Sequence, residues 1–328
     1  MSAMPVLDVK NLEVAYHTDE TVMRAVNGIS FSIDERETVG LVGETGAGKT
    51  TTALAIMRLL PERTGRINRG EIFYKGEDLS KKSADQMRLI RGACISMIFQ
   101  DPMTSLNPIL TVGDQILEAL EIHNTDGKPK TALDARVDEL LSLVGISPLR
   151  KVEYPHQFSG GMKQRIVIAI ALACEPLLLI ADEPTTALDV TIQAQVLVLM
   201  GELKQKLGTS MIMISHDLGV IAKTCDKVAV MYAGEIVEYG SARDIFEGRD
   251  HHPYTTGLFR AIPNLLGESR RLYPIDGLMP DPSALPSGCK FHPRCSGRMS
   301  GCDGEAPFLF EENGHRIQCN LFRKMAGQ

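Results

Sequence analysis

A glycine-rich loop between two hydrophobic segments constrains the fold of this chain more than any other feature. Residues Gly43–Thr50 read Gly-Glu-Thr-Gly-Ala-Gly-Lys-Thr and directly follow the short apolar run Thr38–Val42. The next segment, Thr51–Leu60, has the length and composition of a helix that ends before Pro61. The sequence therefore predicts a strand, a loop and a helix in immediate succession, which is the arrangement of a phosphate-binding loop.

The loop carries the groups that a triphosphate needs. Its glycines let backbone N–H groups surround the phosphates, and the helix N-terminus adds positive potential. Lys49 can reach the β- and γ-phosphates, and the Thr50 hydroxyl can bind Mg²⁺. The pattern predicts a nucleoside triphosphate site, with the candidate cofactor-binding residues Gly43, Gly46, Ala47, Gly48, Lys49, Thr50 and Thr51.

Two carboxylates follow a second apolar run. Leu178–Ala181 predicts a buried strand of a parallel sheet, and Asp182 and Glu183 come directly after it. The carboxyl ends of such strands face the ligand in open α/β sheets. Asp182 suits a contact with Mg²⁺, and Glu183 suits a catalytic base that polarises the water attacking the γ-phosphate. The pair indicates hydrolysis of the nucleotide.

A third motif, Ser159-Gly-Gly161, precedes the apolar helical run Ile166–Cys174. Ser159 can cap this helix, and Gly160 and Gly161 let a ligand approach its N-terminus. We expect a second anion site here. Because one chain cannot easily bring two helix N-termini to one γ-phosphate, this site is expected to serve ATP bound by another subunit.

Hydrophobic periodicity predicts an α/β fold. Val6–Ile33 alternates as strands do, and the apolar runs before Asp182 and at Met211–Ile214 suit buried parallel strands. Residues 110–145 have helical periodicity, whereas eight of the chain's 17 prolines follow Gly240. We predict a nucleotide-binding domain at 1–240, with a helical subdomain at about 101–160, and a loop-rich extension at 241–328.

Composition excludes several classes of protein. The formal net charge of −6 gives no global attraction to nucleic acid or anionic lipid. The longest apolar stretch, 166–181, is interrupted by Glu175 and Pro176, so it is too short to span a membrane. Polar residues interrupt the apolar positions near the N-terminus, and no secretory signal is predicted. We expect a cytoplasmic protein that binds no nucleic acid.

The seven cysteines are unevenly distributed. The three solitary ones, Cys94, Cys174 and Cys225, are predicted to be buried small apolar residues. The other four lie in the proline-rich extension with the spacing C-x5-C-x6-C-x16-C, and they are Cys289, Cys295, Cys302 and Cys319. Since such a segment has little apolar periodicity, a metal centre on these thiolates would supply its stability. Zinc, another metal centre and free thiols all remain open, and the C-x2-C pairs typical of zinc are absent.

The ordered set of motifs resembles the ATP-binding cassette (ABC) ATPase family, in which a Ser-Gly-Gly signature stands between the phosphate loop and the Asp-Glu strand. The resemblance covers Val6 to about Gly240 and implies a P-loop NTPase with a RecA-like core, an antiparallel β subdomain and an inserted helical subdomain. It also implies roles for four further residues. Gln100 would sense Mg²⁺ and the attacking water, and Asp189 would help to set the dimer contact. His216 would contact the γ-phosphate, and Tyr16 would stack on adenine.

Longer stretches resemble the ATPases of dipeptide and oligopeptide importers, with dipeptide-transport subunits as the nearest type. They are Gln100-Asp-Pro-Met-Thr-Ser-Leu-Asn-Pro108, Tyr154-Pro-His-Gln-Phe-Ser-Gly-Gly161, Ala181-Asp-Glu-Pro-Thr-Thr-Ala-Leu-Asp-Val-Thr191, His252-Pro-Tyr-Thr255 and Gly288-Cys-Lys-Phe-His-Pro-Arg-Cys295. The signature departs from the commoner form at Phe158 and Met162. Nickel and antimicrobial-peptide importers share much of this pattern.

This resemblance implies partners and a cofactor. The partners are two transmembrane permease subunits, a second homologous ATPase subunit and, indirectly, an extracellular substrate-binding protein. The cofactor is a [4Fe–4S] cluster bound by the four clustered cysteines, with Lys290 and Arg294 offsetting its negative charge. The chain would then sit on the cytoplasmic face of the membrane and power import by ATP hydrolysis.

Two other functions compete with import. DNA-repair and chromosome-organising ABC proteins insert long coiled coils or zinc modules before the signature, whereas only 58 residues separate Gln100 from Ser159 here. A regulatory switch that binds ATP without hydrolysing it would have no use for both Glu183 and His216. We therefore expect a transport ATPase.

Overall fold

The computed structural model describes residues 4–186, 188–261 and 274–323 of the chain. The strands are β1 (Leu7–His17), β2 (Val22–Ile33), β3 (Thr38–Val42), β4 (Gly65–Tyr74), β5 (Glu77–Asp78), β6 (Ile95–Ile98), β7 (Leu178–Asp182), β8 (Ser210–Ile214), β9 (Lys227–Tyr232), β10 (Glu235–Ser241), β11 (Leu309–Glu312) and β12 (His315–Gln318). The α-helices are α1 (Lys49–Ile56), α2 (Ala84–Ile90), α3 (Pro102–Ser105), α4 (Val112–Ile122), α5 (Lys130–Leu143), α6 (Gly160–Ala171), α7 (Val190–Leu207), α8 (Leu218–Thr224), α9 (Ala242–Glu247) and α10 (Pro253–Arg260). The chain divides into two compact units.

The first unit comprises residues 33–38 and 74–215, together with the N-terminal residues up to Leu7. Its strands β6, β7 and β8 pair in parallel, with Ile95 opposite Leu178 and Leu178 opposite Ser210. Every residue of these three strands is buried. The apolar runs of the sequence thus form the parallel strands that were predicted.

Helices α4, α5 and α6 contact one another within the first unit. α4 begins after the N-cap Thr111, and α5 is followed by Gly145 at a φ of 73°. Apolar positions three and four residues apart on α5, from Leu133 to Leu141, are buried. The helical periodicity of residues 110–145 is therefore confirmed, because its apolar stripe packs against neighbouring helices.

The second unit comprises residues 8–32, 39–73 and 216–328, so far as they are described. In its larger sheet β3 pairs in parallel with β9, β9 pairs antiparallel with β10, and β10 pairs antiparallel with β12. β11 completes a hairpin with β12. Strands β11 and β12 of the extension therefore belong to the same sheet as β3, the strand that leads into the phosphate loop. β2, β1 and β4 are neighbours, in that order, in a second sheet.

Three predictions from the sequence differ from the structure, two in the extent of an element and one in the burial of side chains. Helix α1 ends at Ile56 rather than at Leu60, because Arg58 adopts a φ of 49° that a right-handed helix does not allow. The alternating segment 71–76 predicts a strand, whereas β4 begins earlier, at Gly65, because residues 65–70 include two glycines and three polar residues and carry little strand signal. Of the three solitary cysteines only Cys225 is buried, and the other two are partly exposed.

No helix within the described ranges is both long and apolar enough to cross a membrane.

Candidate active site

The phosphate loop lies in the second unit and joins β3 to α1. Gly48 caps α1 with a φ of 101°, and a Cβ there would lie 2.4 Å from the carbonyl oxygen of Ala25. A Cβ at Gly43 would lie 2.2 Å from the carbonyl oxygen of Met231. Gly46 also has a positive φ, of 84°, but nothing lies within 4 Å of its Cβ position. Gly43 and Gly48 therefore allow neighbouring backbone to pack closely against the loop, whereas Gly46 faces open space from which a ligand can approach.

The Lys49 side chain is held by contacts within the loop. The Lys49 ammonium donates to the carbonyl oxygen of Gly43 at 2.7 Å and to that of Glu44 at 3.1 Å. Lys49 is buried, whereas Thr50 is exposed at the start of α1. Ala47 is buried, and its carbonyl oxygen accepts from the N–H of Gly234 at 3.0 Å.

Tyr16, the predicted adenine-stacking residue, is half-buried on β1 in this same unit. Its hydroxyl lies 3.2 Å from the hydroxyl of Thr51 on α1. The structure thus brings together the tyrosine and the helix that follows the phosphate loop. His216, also of the second unit, is exposed two residues after the end of β8.

The predicted base lies in the first unit. The amide of Gln100 donates to the Glu183 carboxylate at 3.1 Å, and the Thr186 hydroxyl donates to the same oxygen at 2.9 Å. Glu183 has a φ of 47°, and its N–H donates to the carbonyl oxygen of Ile214 at 2.9 Å. Asp182 is buried at the end of β7. Two predicted site residues that are 83 positions apart, Gln100 and Glu183, are therefore in direct contact.

The signature also lies in the first unit. Ser159 caps α6 by accepting from the N–H of Met162, as predicted. A Cβ at Gly161 would lie 2.3 Å from the Ile192 side chain, so α6 and α7 approach closely here. Asp189 caps α7 by accepting from the N–H of Ile192 at 3.0 Å. The signature and the predicted dimer-contact loop are thus adjacent. Ala187 of that loop lies outside the described residues.

The four clustered cysteines form no disulfide bond with any residue that the structure describes. Burial, together with the neighbouring Cys289, Cys295 and Cys302, raises the pKa of Cys319 to about 11. Throughout residues 4–186, 188–261 and 274–323, no group of three or more His, Cys, Asp or Glu side chains is arranged to hold a metal ion. The iron–sulfur cluster and its zinc alternative are therefore not confirmed.

The predicted counter-charges of that cluster have other partners. Arg294 pairs with Glu44 of the phosphate loop, at 2.7 and 3.1 Å. Lys290 donates to the carbonyl oxygens of Pro286 and Gly288. Sequence reasoning missed the contact of Arg294, because the loop motif accepts any residue at position 44 and no local pattern connects it with a residue 250 positions away.

Comparison with known proteins identifies the family. Residues 26–186 match the ABC transporter family, and residues 237–302 match the oligopeptide/dipeptide transporter C-terminal region. The dipeptide transport ATP-binding protein DppD of Bacillus subtilis is 51% identical over 319 residues, which are 96% of this chain and 94% of that protein. The chain belongs to the ABC transporter family. The oligopeptide transport ATP-binding protein AppD of the same organism is 48% identical over 321 residues, 97% of each chain.

Solved ABC structures agree with the fold. The dimeric post-hydrolysis state of the ATP-binding cassette MJ0796, bound to ADP and Pi, superposes with a TM-score of 0.65 and 26% identity. It covers 72% of this chain and 99% of that cassette. The fold is therefore that of an ABC-type P-loop NTPase. As a member of the ABC family, the chain is an ATPase that uses ATP and Mg²⁺ and acts as part of an ATPase dimer with membrane permease subunits.

Proposed function

We propose that this ABC ATPase powers the import of dipeptides or oligopeptides from the cytoplasmic face of the cell membrane. The observation that carries the proposal is the 51% identity to a dipeptide transport ATP-binding protein over 96% of the chain. The match of residues 237–302 to the C-terminal region of peptide transporters supports it. Nickel import stays the second candidate only through its shared sequence pattern, and no observation favours it.

The predicted catalytic, phosphate-binding and Mg²⁺-binding residues have proposed roles in hydrolysis. Glu183 is the base that polarises the attacking water, because its carboxylate is already oriented by Gln100 and Thr186. His216 contacts the γ-phosphate. Lys49 and the loop N–H groups bind the phosphates, while the hydroxyl of Thr50, Gln100 and Asp182 supply the oxygen ligands that Mg²⁺ prefers. Bound Mg²⁺ would neutralise charge that develops on the phosphates.

The proposed dimer is a head-to-tail pair with a related but distinct ATPase subunit. Ser159, Gly160 and Gly161 would contact the ATP that the partner's phosphate loop holds. The exposed Ser159 at the N-terminus of α6 supports this role, since its helix presents N–H groups to an anion. A heterodimer predicts slow hydrolysis by the isolated chain, and rapid cooperative turnover would contradict it.

A docking surface for the permease is proposed on the first unit. A cavity of about 240 Å³ is lined by residues that include Phe99, Ser105, Ala119, His123 and Val167. The Phe99 side chain is 46% exposed, directly before Gln100. A cytoplasmic helix of the permease in this cavity would contact Phe99, which is the residue directly before Gln100. The contact would thus couple the permease to a residue that binds the Glu183 carboxylate. An extracellular substrate-binding protein would deliver the peptide.

The extension is proposed to bind a [4Fe–4S] cluster through Cys289, Cys295, Cys302 and Cys319. Their proximity is supported by two contacts of Cys302, whose carbonyl oxygen accepts from the N–H of Cys289 at 2.9 Å and whose sulfur lies 3.9 Å from the side-chain amide of Asn320, next to Cys319. When bound, the cluster would supply a structural or redox-sensing centre. Iron, acid-labile sulfide and zinc are measured in protein purified without oxygen. About four irons and four sulfides per chain, lost in Cys289→Ser, are expected; one zinc per chain contradicts the cluster.

The function is tested by uptake of a labelled dipeptide in cells that lack the chromosomal copy. The wild-type chain should restore uptake and Glu183→Gln should not, because the amide cannot accept a proton. In purified protein Glu183→Gln should lower kcat at least about a hundredfold while MgATP still binds. Glu118→Gln, at an exposed position of α4, is the matched control and should behave as wild type. Restored nickel uptake without dipeptide uptake would overturn the peptide assignment.

A further inference from the structure

Glu44 connects the phosphate loop to the extension through its carboxylate and its N–H group. Its carboxylate accepts from the Arg294 guanidinium at 2.7 and 3.1 Å, and its N–H donates to the Tyr254 hydroxyl at 2.8 Å. Its carbonyl oxygen accepts from the Lys49 ammonium and from the N–H of Ala47, each at 3.1 Å. One residue of the loop is therefore fixed by two residues that follow the nucleotide-binding core in the sequence.

All five N–H groups of the Arg294 guanidinium have hydrogen-bond acceptors. Besides Glu44, it donates to the carbonyl oxygens of Asp276 at 2.9 Å and Ile275 at 3.2 Å, and to the Tyr232 hydroxyl at 3.4 Å. A guanidinium has five N–H groups, and five contacts are present. The side chain of Arg294 is 6% exposed, so water and salt screen its charge weakly. The bidentate geometry is that of a strong charge-assisted pair.

An aromatic cluster supports the pair. The rings of Tyr232 and Tyr254 have centroids 4.7 Å apart, and Phe291 lies 5.1 Å from the first and 5.4 Å from the second. All three side chains are buried. Phe291 lies three residues before Arg294, and Tyr232 ends β9. The extension is therefore packed against the strand end beside the loop, which leaves Arg294 little freedom to leave Glu44.

The charge of Glu44 explains why the loop needs this partner. Within Gly43–Thr50, Glu44 and Lys49 are the charged residues, so the loop has no net formal charge. An uncompensated carboxylate in a phosphate-binding loop repels the anionic ligand. Arg294 neutralises it and leaves the charge of Lys49 for the phosphates. We propose that Arg294 is a positioning residue of the nucleotide site, which the extension supplies and which acts by neutralising Glu44.

The proposal predicts that the penalty of losing Arg294 depends on Glu44. Binding of Mg²⁺ and the slowly hydrolysed analogue ATPγS to the full chain is measured by calorimetry. Arg294→Gln should raise Kd about tenfold, the size of effect expected from one charge-assisted hydrogen-bonded pair. Glu44→Gln should stay within about threefold of wild type, and the double variant should recover most of the lost affinity.

Arg298→Gln is the matched control, because Arg298 pairs with Asp303 at the surface of the same segment. It should leave Kd unchanged. An unchanged Kd in Arg294→Gln overturns the proposal, and so does a loss of affinity that Glu44→Gln does not relieve, since Arg294 would then only support the fold of the extension. If Arg294→Gln fails to fold, Arg294→Lys, which keeps the charge, should bind within about threefold of wild type, and a tenfold loss in folded protein contradicts the proposal. The inference rests on nucleotide binding by the loop, which the wild-type titration tests separately.

Discussion

The glycines of the phosphate loop are required for different structural reasons, although the sequence motif does not distinguish between them. Gly46 and Gly48 both have positive φ values, of 84° and 101°. A side chain at Gly46 would point into open space, whereas one at Gly48 would meet the carbonyl oxygen of Ala25. A residue with a side chain would therefore strain the backbone at both positions, and at Gly48 it would also overlap with strand β2.

Gly48→Ala should consequently destabilise the nucleotide-free protein more than Gly46→Ala. The positive φ costs roughly 1–2 kcal/mol in either variant. In Gly48→Ala the added clash displaces β2 or the loop, which costs a further 1–3 kcal/mol or so. The free energy of unfolding is measured by denaturant titration without nucleotide. Equal losses in the two variants would show that the contact with Ala25 relaxes freely.

The roles of single residues are predictable from the sequence where a motif fixes their chemistry. Lys49, Ser159 and Glu183 were identified because each belongs to a short pattern whose mechanism requires that residue type. Ser159 indeed caps α6. The orientation of Glu183 by Gln100 could be expected only from the family's order of motifs, since periodicity carries no information on contacts between distant loops.

At the scale of elements, β10 contains a buried acid that holds three parts of the second unit together. The Glu238 carboxylate accepts from His251 at 2.8 Å, His315 at 3.0 Å and the N–H of His252 at 2.8 Å. His251 precedes α10 and His315 begins β12, so one carboxylate joins core strand, helix and extension. A register shift between Ile236 and Glu238 accompanies this residue.

The pKa values of this cluster predict a pH window of stability. Burial alone would raise the pKa of Glu238, but its hydrogen bonds from His251, His315 and His252 outweigh burial and lower it to about 2. The Glu238 hydrogen bond raises the pKa of His251 above 6.5. The contribution of Glu238 is thus lost as pH falls from about 4.5 toward 2, and that of His251 is lost as pH rises through its raised pKa.

Glu238→Gln should therefore destabilise the protein most between about pH 4.5 and 6.5, where both partners are charged. We expect a loss of about 2 kcal/mol or more, because removing one partner of a buried pair leaves the other uncompensated. Denaturant unfolding of both proteins is followed from pH 3 to pH 9. A stability difference that stays constant across this range would contradict the charged pair.

Considered as a whole, the extension is an integral part of the sheet in the second unit. β12 pairs with β10, and the buried Ile317 packs with Cys319, Phe322 and Phe310 in a small cluster. The N–H and C=O groups that β10 would otherwise present at an open edge are thereby paired. Open edges of this kind associate with other chains.

Ile317→Ala should lower the free energy of unfolding by about 3 kcal/mol, as truncation of a buried isoleucine does. Leu309→Ala, on the neighbouring strand β11 at a position that is 48% exposed, is the control and should cost less than about 1 kcal/mol. Thermal unfolding and the soluble fraction after expression are measured for both. Similar stability of the two variants would mean that the hairpin is not anchored to the sheet.

The sequence predicted the whole molecule less completely than its parts. The strong periodicity of the parallel strands and of α4 and α5 identified those elements because each buries its own apolar face. The extension has no such periodicity, so its hairpin and its contacts with β10 and the phosphate loop were not predictable. They depend on pairs such as Glu238 with His315, whose partners are far apart in the chain.

The pairing of Glu44 with Arg294 also has a consequence for the timing of biosynthesis. A ribosome must add 250 residues after Glu44 before Arg294 exists. At about 5–20 residues per second this interval is on the order of 10–50 seconds. During that time the nascent loop carries an acidic group without its partner. Under the proposed role of Arg294, the growing chain reaches its full nucleotide affinity only after Arg294 has been synthesised and has paired with Glu44.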